Sequence, residues 1–369
     1  MPVIPSNPDS ATPRVPLSIE RNMNARALLP THKPLLDFFR NALTTFQSSS
    51  TTFQVVCTLT PRPRDNGPAQ LLQHRILANP APSPPQGAPP ARLVVLDSSF
   101  NPPSAAHLRM AADAVLAELR SDRTREAGRV RLLLLLAVKN ADKAAKPAAF
   151  EQRLAMMWAF AKDVRRTLEE SGGQEDTTSN DGVAIDVALS TQPFFHEKSA
   201  AIAESEFYKP SGQEEGGKAH DQVKEPEQVI LAGYDTLIRI FNPKYYGSPS
   251  EASEASSAGE TPIHKALDPF FKRARLRVTM RTDDEWGGKD EQTAYVEKLF
   301  HGDELEKIGG SKEWAKRIEI IDSRKEGEAV VSSTLARDAA KAQDWSRLGG
   351  LVPPEVKKWI EREKLYSDA

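Results

Sequence analysis

The sequence predicts an α/β fold: a Rossmann-like, doubly wound and mainly parallel sheet with flanking helices. The first observation behind this prediction is an unbroken apolar run at 93–96, which is typical of a strand buried on both faces. The second is a run of leucines at 132–136, too short to span a bilayer and bounded by charge. The third is that helical periodicity separates such runs. Strands joined by helices pair in parallel and bind ligands at their carboxyl ends.

The remaining elements follow from the same patterns, taken in chain order. An amphipathic helix is predicted at 34–46, a strand at 53–59, and a proline-rich spacer at 80–90. After the strand at 93–96, apolar residues at helical spacing predict a helix through 108–119. Further strands are predicted at 130–138, 183–189, 229–232, 276–280 and 318–321. Further helices are predicted at 150–160, at 197–206, from 236, at 295–300, and from 334 with a break at Gly349-Gly350 and a last segment ending near 365.

The domain organisation predicted from these patterns is one α/β domain with additions. Residues 1–30 are rich in Pro, Ser and Asn and are predicted to be disordered. A helix–strand extension and the proline-rich spacer occupy 31–90. The α/β domain covers 91–369, and polar, Gly-, Ser- and Glu-rich stretches near 171–182, 210–227 and 247–262 are predicted to be mobile insertions.

Composition excludes several classes of function. With 49 basic and 51 acidic residues the formal net charge is −2, so no global field attracts nucleic acid or an anionic membrane. The single cysteine, Cys57, excludes an internal disulfide framework and a thiolate metal cluster, and its setting favours a small buried strand residue. The histidines show no metal-ligand spacing. Without a membrane-length apolar run or a secretory signal, we expect a soluble protein of the cytoplasm or nucleus.

The segment 97–107 is the most informative stretch of the chain. It places a turn of small residues and prolines between the strand at 93–96 and the start of a helix. Free N–H groups and the positive end of the helix dipole then face the turn, which is a ready site for an anion. Ser104 and His107, three residues apart in the first helical turn, lie on the same side and can both face that anion.

These residues carry a family resemblance. The sequence Ser98-Ser99-Phe100-Asn101-Pro102-Pro103-Ser104-Ala105-Ala106-His107 resembles the first nucleotide-binding signature of the nucleotidylyltransferase superfamily. Val331-Ser332-Ser333-Thr334-Leu335-Ala336-Arg337 resembles its Ile-Ser-Ser-Thr-x-x-Arg signature. Within the superfamily, the chain most resembles nicotinamide mononucleotide adenylyltransferases of a divergent fungal branch, over about 92–366.

The resemblance implies adenylyl transfer from ATP to nicotinamide mononucleotide, giving NAD and pyrophosphate. Such a site has to align two anions and neutralise developing charge, and it needs no covalent intermediate. ATP and nicotinamide mononucleotide are therefore the expected small-molecule substrates, with no nucleic acid or membrane partner. Mg²⁺ is expected as a cofactor, held largely by substrate phosphates and water rather than by dedicated protein ligands.

The resemblance also assigns roles to residues of both signatures. His107 is expected to donate to the ATP phosphates as charge develops, and Arg337 to add a bidentate cation; these are the catalytic candidates. Ser104 stands where relatives have His or Thr, so it donates without carrying charge, and Ser98 stands where glycine is usual. The ATP- and phosphate-binding candidates in the signatures are Ser98, Ser99, Phe100, Ser104, Ser332, Ser333 and Thr334, with Phe100 expected to shape the turn.

Candidates between the signatures are less specific. Lys143 and Lys146 either reach the nucleotide phosphates or belong to a solvated charged loop. Arg153 is either a phosphate ligand or a partner in a helix-to-loop salt bridge. Gly233 and Asp235 either receive the adenosine or form an ordinary turn. The mononucleotide-binding candidates are Asn101, Phe194, Phe195, Tyr246 and Arg281, with Tyr245 as a rival for ring stacking and with core packing or a surface position as the alternative for each.

Two other hypotheses remain open on the sequence alone. The acceptor can be another phosphorylated molecule, such as nicotinate mononucleotide, a phosphopantetheine, or a phosphorylated alcohol used with CTP, because both signatures are shared across those activities. Alternatively the chain is a nucleotide-binding or partner-binding protein that has lost catalysis. Ser98, Ser104 and the long insertions motivate that alternative.

Overall fold

The structure is a computed structural model, and it describes residues 32–61, 80–86, 88–121, 129–138, 147–171, 182–209, 225–247, 261–280, 288–321 and 330–367. The strands are β1 (Phe53–Leu59), β2 (Arg92–Asp97), β3 (Val130–Ala137), β4 (Ala184–Ser190), β5 (Glu227–Gly233), β6 (Ala274–Thr279) and β7 (Ile318–Ile321). The α-helices are α1 (His32–Ser48), α2 (Ala105–Ser121), α3 (Phe150–Ser171), α4 (Phe195–Glu204), α5 (Tyr234–Ile240), α6 (Pro262–Arg273), α7 (Lys289–His301), α8 (Glu304–Lys307), α9 (Ser333–Lys341), α10 (Trp345–Leu351) and α11 (Pro354–Glu363). Short 3₁₀ helices lie at Glu206–Tyr208, Pro243–Tyr245 and Lys312–Arg317.

Within the described residues the strands form one sheet in the order β1-β4-β3-β2-β5-β6-β7. All neighbours pair in parallel except β1 and β4, which are antiparallel. The predicted doubly wound, mainly parallel sheet is therefore confirmed. The chain winds outward from β2 in one direction through β3 and β4, then returns to the other side of β2 with β5. This reversal makes the gap between β2 and β5 the topological switch point, where ligands bind in such sheets.

Alternate residues of the central strand pack into two separate hydrophobic cores, one on each face of the sheet. Val94 and Leu96 pack into the core under α1, α2, α3 and α9 to α11, whereas Leu93 and Val95 pack into the core under α4 to α7. All four are at most 2% exposed, so β2 is buried on both faces as its unbroken apolar run predicts. The strand that carries the first signature is thus held at the centre of the molecule.

The predicted extension is part of the sheet. Strand β1 pairs with β4 at the edge, and α1 contributes the fully buried Phe39 and Phe46 to the core that contains α3. The described part of the proline-rich spacer runs beside β1, where the Thr58 N–H donates to the Ala81 carbonyl over 2.9 Å. The strand edge that would otherwise remain open is therefore covered on this side.

A buried charge network fastens this edge. The carboxylate of Asp186, on β4, receives hydrogen bonds from the guanidinium of Arg131, the hydroxyl of Thr58 and the hydroxyl of Tyr208, all within 3.0 Å. Burial raises the pKa of Tyr208 well above its ordinary value, and the nearby Asp186 raises it further. Burial also raises the pKa of Cys57, which is fully enclosed in β1. This network is structural, because it ties β1, β3 and β4 together away from the carboxyl ends of the parallel strands.

Some helix predictions are wrong. Helix α6 is absent from the predicted elements, and α7 begins at Lys289 rather than at 295. The helix was expected to break at Gly349-Gly350, but α10 runs through both glycines. Its limits are set instead by Asp344, whose side chain accepts from the Arg347 N–H over 2.9 Å, and by Pro353, which begins the turn into α11.

The other sequence expectations for disorder and insertions fall on residues 1–31, 172–181, 210–224 and 248–260, which lie outside the described residues.

Candidate functional site

A cavity of about 370 Å³ lies at the carboxyl ends of β2 and β5, at the switch point of the sheet. Both predicted signatures reach it, although they are more than 200 positions apart in the chain. Ten of the candidate residues line it. The first signature contributes Ser98, Ser99, Ser104 and His107, the end of β5 and the start of α5 contribute Gly233 and Asp235, and the second signature contributes Ser332, Ser333, Thr334 and Arg337. The fold therefore brings these ten candidates together at one hollow.

His107 is held from both of its ring nitrogens. The backbone N–H of Ser104 donates to Nδ1 over 3.0 Å, and the Ser104 hydroxyl lies 2.8 Å from the same nitrogen. The Ser98 hydroxyl lies 3.0 Å from Nε2. Because Nδ1 accepts from a backbone N–H, the neutral ring carries its proton on Nε2. The imidazole therefore presents an N–H donor on the side of Ser98, which lines the cavity.

Ser104 acts on the ring as well as on the helix. It precedes α2, and its hydroxyl oxygen lies 3.4 Å from the backbone N–H of His107, in the position of an N-cap acceptor. The residue is only 1% exposed. Its hydroxyl is engaged with His107, so it positions the imidazole rather than presenting a free donor to the cavity.

The second signature forms a capped helix start on the same cavity. The Ser332 hydroxyl accepts from the Leu335 N–H over 3.2 Å and so caps α9. The Ser333 hydroxyl donates to the Pro102 carbonyl over 2.8 Å. The first bond defines the helix start, and the second joins it to the turn of the first signature. Two helix N-termini, those of α2 and α9, therefore open on one hollow.

Arg337 lies one turn into α9 and lines the cavity. Its guanidinium donates to the Asn101 carbonyl over 2.9 Å and to the Thr334 hydroxyl over 3.0 Å. In the described part of the chain no carboxylate lies within ion-pair distance of it. The acceptors that hold Arg337 are neutral, which leaves its full positive charge facing the cavity.

The turn residues Phe100 and Asn101 have a supporting position. Phe100 is fully buried and packs against Phe160, with ring centroids 6.2 Å apart, so it shapes the turn and does not line the cavity. Its φ is +45°, a strained conformation for a bulky residue. The side-chain oxygen of Asn101 accepts from the Tyr366 hydroxyl over 2.9 Å, which ties the turn to the end of the chain. Ser98 is not at positive φ, so the conformation expected of the glycine that it replaces is not required there.

The candidates between the signatures are distributed unevenly. Gly233 and Asp235 line the cavity. A Cβ at Gly233 would lie 2.7 Å from a carboxylate oxygen of Asp235, so a larger residue at this position would require that side chain to move. Lys143, Lys146 and Arg281 lie outside the described residues. Arg153 is buried, donates to the Ala148 carbonyl over 2.9 Å, and packs over the Phe150 ring. Burial lowers the pKa of its guanidinium, and it does not line the cavity.

The aromatic candidates gather in a cluster beside α4, which we call the aromatic cluster: Phe194, His196, Tyr245 and Tyr246. The Phe194 and His196 rings are stacked at 5.8 Å with an interplanar angle of 10°, and Tyr245 packs on Phe194 at 6.1 Å. The Tyr246 ring lies 5.4 Å from His196, and its hydroxyl donates to the Ile240 carbonyl. Burial lowers the pKa of His196, an effect that the neighbouring Glu197 opposes. Phe195 packs under the Lys198 ammonium instead.

Several charged residues at the cavity were not found from the sequence. Asp97, the last residue of β2, lines the cavity and pairs with Lys198 of α4. Arg277 of β6 lines it too and pairs with Glu319 over 2.7 Å, while Arg109 and Asp113 contribute from α2. The alternation of β6 places Arg277 and Thr279 on one face, a period-two signal that the sequence contains. No sequence signal pairs Asp97 with Lys198.

In the described part of the chain, no group of three or more His, Cys, Asp or Glu residues is arranged to hold a metal ion. Among the same residues, no helix has both the length and the apolar character needed to cross a membrane.

Comparison with known proteins adds one informative relative. No family model matches the chain. A Schizosaccharomyces pombe protein, named provisionally as a nicotinamide mononucleotide adenylyltransferase, is 29% identical over 264 residues. The match covers 72% of this chain and 82% of that protein. It agrees with the resemblance that the two signatures carry.

Solved structures give much weaker matches. Nicotinic acid mononucleotide adenylyltransferase of Plasmodium falciparum, complexed with NaAD, is 10% identical with a TM-score of 0.36, covering 74% of this chain and 97% of that chain. Thermotoga maritima TmcAL, bound with alpha-thio ATP, is 14% identical with a TM-score of 0.32, covering 74% of this chain and 56% of that chain.

Proposed function

We propose that the chain is a nucleotidylyltransferase, and that it transfers the adenylyl group of ATP to nicotinamide mononucleotide and forms NAD and pyrophosphate. The two signatures and the S. pombe relative support this proposal. The observation that carries the proposal is the shared position of His107 and Arg337 on one cavity with two helix N-termini. Such a hollow suits a molecule that brings several phosphate groups to one place.

The chemistry needs no nucleophile from the protein. A phosphate oxygen of the mononucleotide attacks the α-phosphorus of ATP and forms the new P–O bond. The bond between that phosphorus and the bridging oxygen breaks, and the electron pair leaves with pyrophosphate. Since two anions must meet, the protein contributes alignment and positive charge.

His107 presents a hydrogen-bond donor that can bind a phosphate oxygen. Its Nε2–H is directed toward Ser98 at the cavity wall, and a phosphate oxygen that displaces the Ser98 hydroxyl would accept the same hydrogen bond. The bond strengthens as negative charge grows on the phosphate, so it contributes most in the transition state. Ser104 holds the ring in this tautomer from the opposite side.

Arg337 supplies the complementary charge from the second signature. Two of its N–H groups hold the Asn101 carbonyl and Thr334, and the guanidinium has further donors for phosphate oxygens. Because the nucleotide would bridge the start of α2 and the start of α9, it would contact two segments of the chain at once. That arrangement supports alignment of the reacting groups.

Mg²⁺ fits this site as an ion that arrives with ATP. The described residues offer no three-ligand cluster, while the carboxylate of Asp113 lines the cavity and is solvent-exposed, able to accept from metal-bound water. The ion would neutralise charge on the leaving phosphates. The protein residues that act on the α-phosphate in this proposal are His107 and Arg337.

The residues of the aromatic cluster do not line the cavity, and we propose the cluster as the place where the pyridine ring of the mononucleotide binds. Flat rings such as Phe194 and Tyr245 provide faces for a pyridine ring, and a pyridinium cation is attracted to aromatic faces. The support for a pyridine acceptor is this cluster together with the S. pombe relative.

An acceptor panel tests the proposal. The protein is incubated with Mg-ATP and, separately, nicotinamide mononucleotide, nicotinate mononucleotide or 4′-phosphopantetheine, and pyrophosphate and products are measured. We expect NAD to form with the highest kcat/KM for nicotinamide mononucleotide. Faster reaction with nicotinate mononucleotide or phosphopantetheine would reassign the acceptor. Binding of ATP without pyrophosphate release from any acceptor would contradict the proposal.

A further inference from the structure

A buried ion pair stands at the carboxyl end of the central strand. The Lys198 ammonium, on α4, lies 2.5 Å from a carboxylate oxygen of Asp97, on β2. Their side chains are 9% and 8% exposed, respectively. The residues are 101 positions apart, so the contact is made by the fold. Removal of one partner of a buried pair is costly, because it leaves an uncompensated buried charge.

The carboxylate is in an unexpected place for an anion-binding cavity. Asp97 lines the cavity and is followed directly by Ser98, whose hydroxyl contacts His107. A carboxylate at this position would repel an entering phosphate, and the repulsion is strong where water is scarce. Neutralisation by Lys198 removes this obstacle.

The same lysine belongs to the helix that begins at the aromatic cluster. Phe194 occupies the N-cap position of α4 without a side-chain capping bond, and His196 lies in the first turn. The Lys198 ammonium lies 5.1 Å from the Phe195 ring centroid. The ion pair therefore joins the start of α4 to the end of β2.

We propose that Lys198 is a positioning residue that neutralises and orients Asp97, so that an anionic nucleotide can occupy the cavity beside the end of β2. This inference rests on the proposed function for the identity of the nucleotide. It concerns residues that neither signature contains. Lys198 acts through Asp97 and need not touch the substrate.

A binding cycle tests it. Dissociation constants for ATP and for nicotinamide mononucleotide are measured by calorimetry with wild-type protein and with Lys198→Met, Lys198→Arg and the double variant Asp97→Asn/Lys198→Met. Lys198→Met leaves an unpaired carboxylate at the cavity, so we expect ATP affinity to fall by roughly tenfold or more. Lys198→Arg and the double variant should each recover most of that loss, since one restores the cation and the other removes the charge.

The matched control is Lys209→Met. Lys209 forms an ion pair of the same 2.5 Å length with Glu206, but that pair is exposed and lies outside the cavity lining. Lys209→Met should leave the affinities for ATP and for nicotinamide mononucleotide unchanged. Melting temperatures of all variants show whether each is folded, and the double variant retains no unpaired buried charge, so it remains informative if Lys198→Met is unstable.

Two results would overturn the inference. One is a Lys198→Met protein that is folded and binds ATP like wild type. The other is a folded double variant whose affinity for ATP is as low as that of Lys198→Met. If Lys198→Met does not fold, the same conclusion follows when the double variant's affinity for ATP is one tenth of the wild-type affinity or less. The cycle does not depend on turnover, so wild-type protein that binds ATP but releases no pyrophosphate would refute the proposed function alone. Wild-type protein that binds neither nucleotide would refute both.

Discussion

The guanidinium of Arg337 donates a hydrogen bond of 2.9 Å to the backbone carbonyl of Asn101, 236 positions earlier in the chain. Together with the bond from Ser333 to the Pro102 carbonyl, it joins the second signature to the turn of the first. Neither bond uses a charged acceptor. The joint therefore holds the two helix starts together while leaving the positive charge of Arg337 for a ligand.

Replacement of Arg337 by lysine should be costly despite the retained charge. A lysine ammonium cannot donate to Asn101, Thr334 and a phosphate in the planar geometry of a guanidinium. We expect kcat/KM for adenylyl transfer to fall by about 10–100-fold. Steady-state kinetics checks this, with Arg347→Lys on the exposed side of α10 as the control. Equal kinetics for Arg337→Lys and wild type would exclude a direct role.

His107→Ala should reduce turnover with little loss of fold. The Nε2–H donor acts mainly in the transition state, so we expect kcat to fall by about 10²–10⁴-fold. Circular dichroism and thermal melting should remain close to wild type. The exposed His301, at the end of α7, provides the control variant His301→Ala. Wild-type turnover in folded His107→Ala protein would refute the assigned role.

Ser104→Ala separates positioning from capping. Loss of the N-cap hydroxyl should lower the free energy of unfolding by about 1 kcal/mol. Because the hydroxyl also holds Nδ1 of His107, kcat should fall while KM for ATP stays nearly constant. The control is Ser205→Ala, since Ser205 caps the 3₁₀ helix at Glu206–Tyr208 by accepting from the Phe207 N–H. Ser205→Ala should lower the free energy of unfolding without lowering kcat. If Ser205→Ala and Ser104→Ala lose kcat to the same extent, the effect of Ser104 on kcat is indirect.

Phe194→Ala tests the aromatic cluster as the pyridine site. Removal of a stacking face should raise KM for nicotinamide mononucleotide by roughly 3–10-fold. KM for ATP is the internal control and should not change. The two constants are measured in the same initial-rate experiment. A parallel rise in both would indicate a general disturbance of α4, and no change in either would move the pyridine site elsewhere.

Asp163 predicts a pH-dependent stability. Its carboxylate, on α3, accepts from the Glu355 N–H at the start of α11 over 3.0 Å, and burial raises its pKa to about 6 from an ordinary 3.8. Between these two values the folded protein binds a proton that the unfolded chain has released, so this group's contribution to stability falls as pH rises from about 4 to 6. Above pH 6 the carboxylate is ionised in the folded protein, and its burial then lowers the free energy of unfolding to the full extent.

Asp163→Asn should remove this dependence, because the amide oxygen can still accept from Glu355 but does not titrate. The free energy of unfolding of the variant, relative to wild type, should increase by about 1–2 kcal/mol between pH 4 and pH 7. Urea unfolding at both pH values measures it. Asp37→Asn, at an exposed ion pair on α1, is the control. A difference between Asp163→Asn and wild type that is constant with pH would contradict the expectation.

The local features of the site follow from the amino-acid sequence itself. The unbroken apolar run at 93–96 predicts a fully buried strand, and the structure confirms it in β2. Ser332 and Ser333 are both candidate caps for a helix that begins near Thr334, and the bond from the Leu335 N–H shows that Ser332 is the cap. These features depend on side chains acting on their own neighbours, at separations of a few residues. Hydrophobic periodicity and capping chemistry are therefore sufficient to find them.

Only the tertiary structure decided how those pieces meet. The bond between Arg337 and Asn101, the pair of Asp97 with Lys198, and the antiparallel addition of β1 to β4 each join segments far apart in the chain. A lysine at 198 has the same local pattern whether it faces solvent or a buried aspartate. Strand order and helix placement determine which of these occurs, because they set the distance between groups that local propensity does not relate. The sequence thus determined the strands of the sheet and the two helix starts that carry the signatures, and the packing of the sheet determined which charges share its cavity.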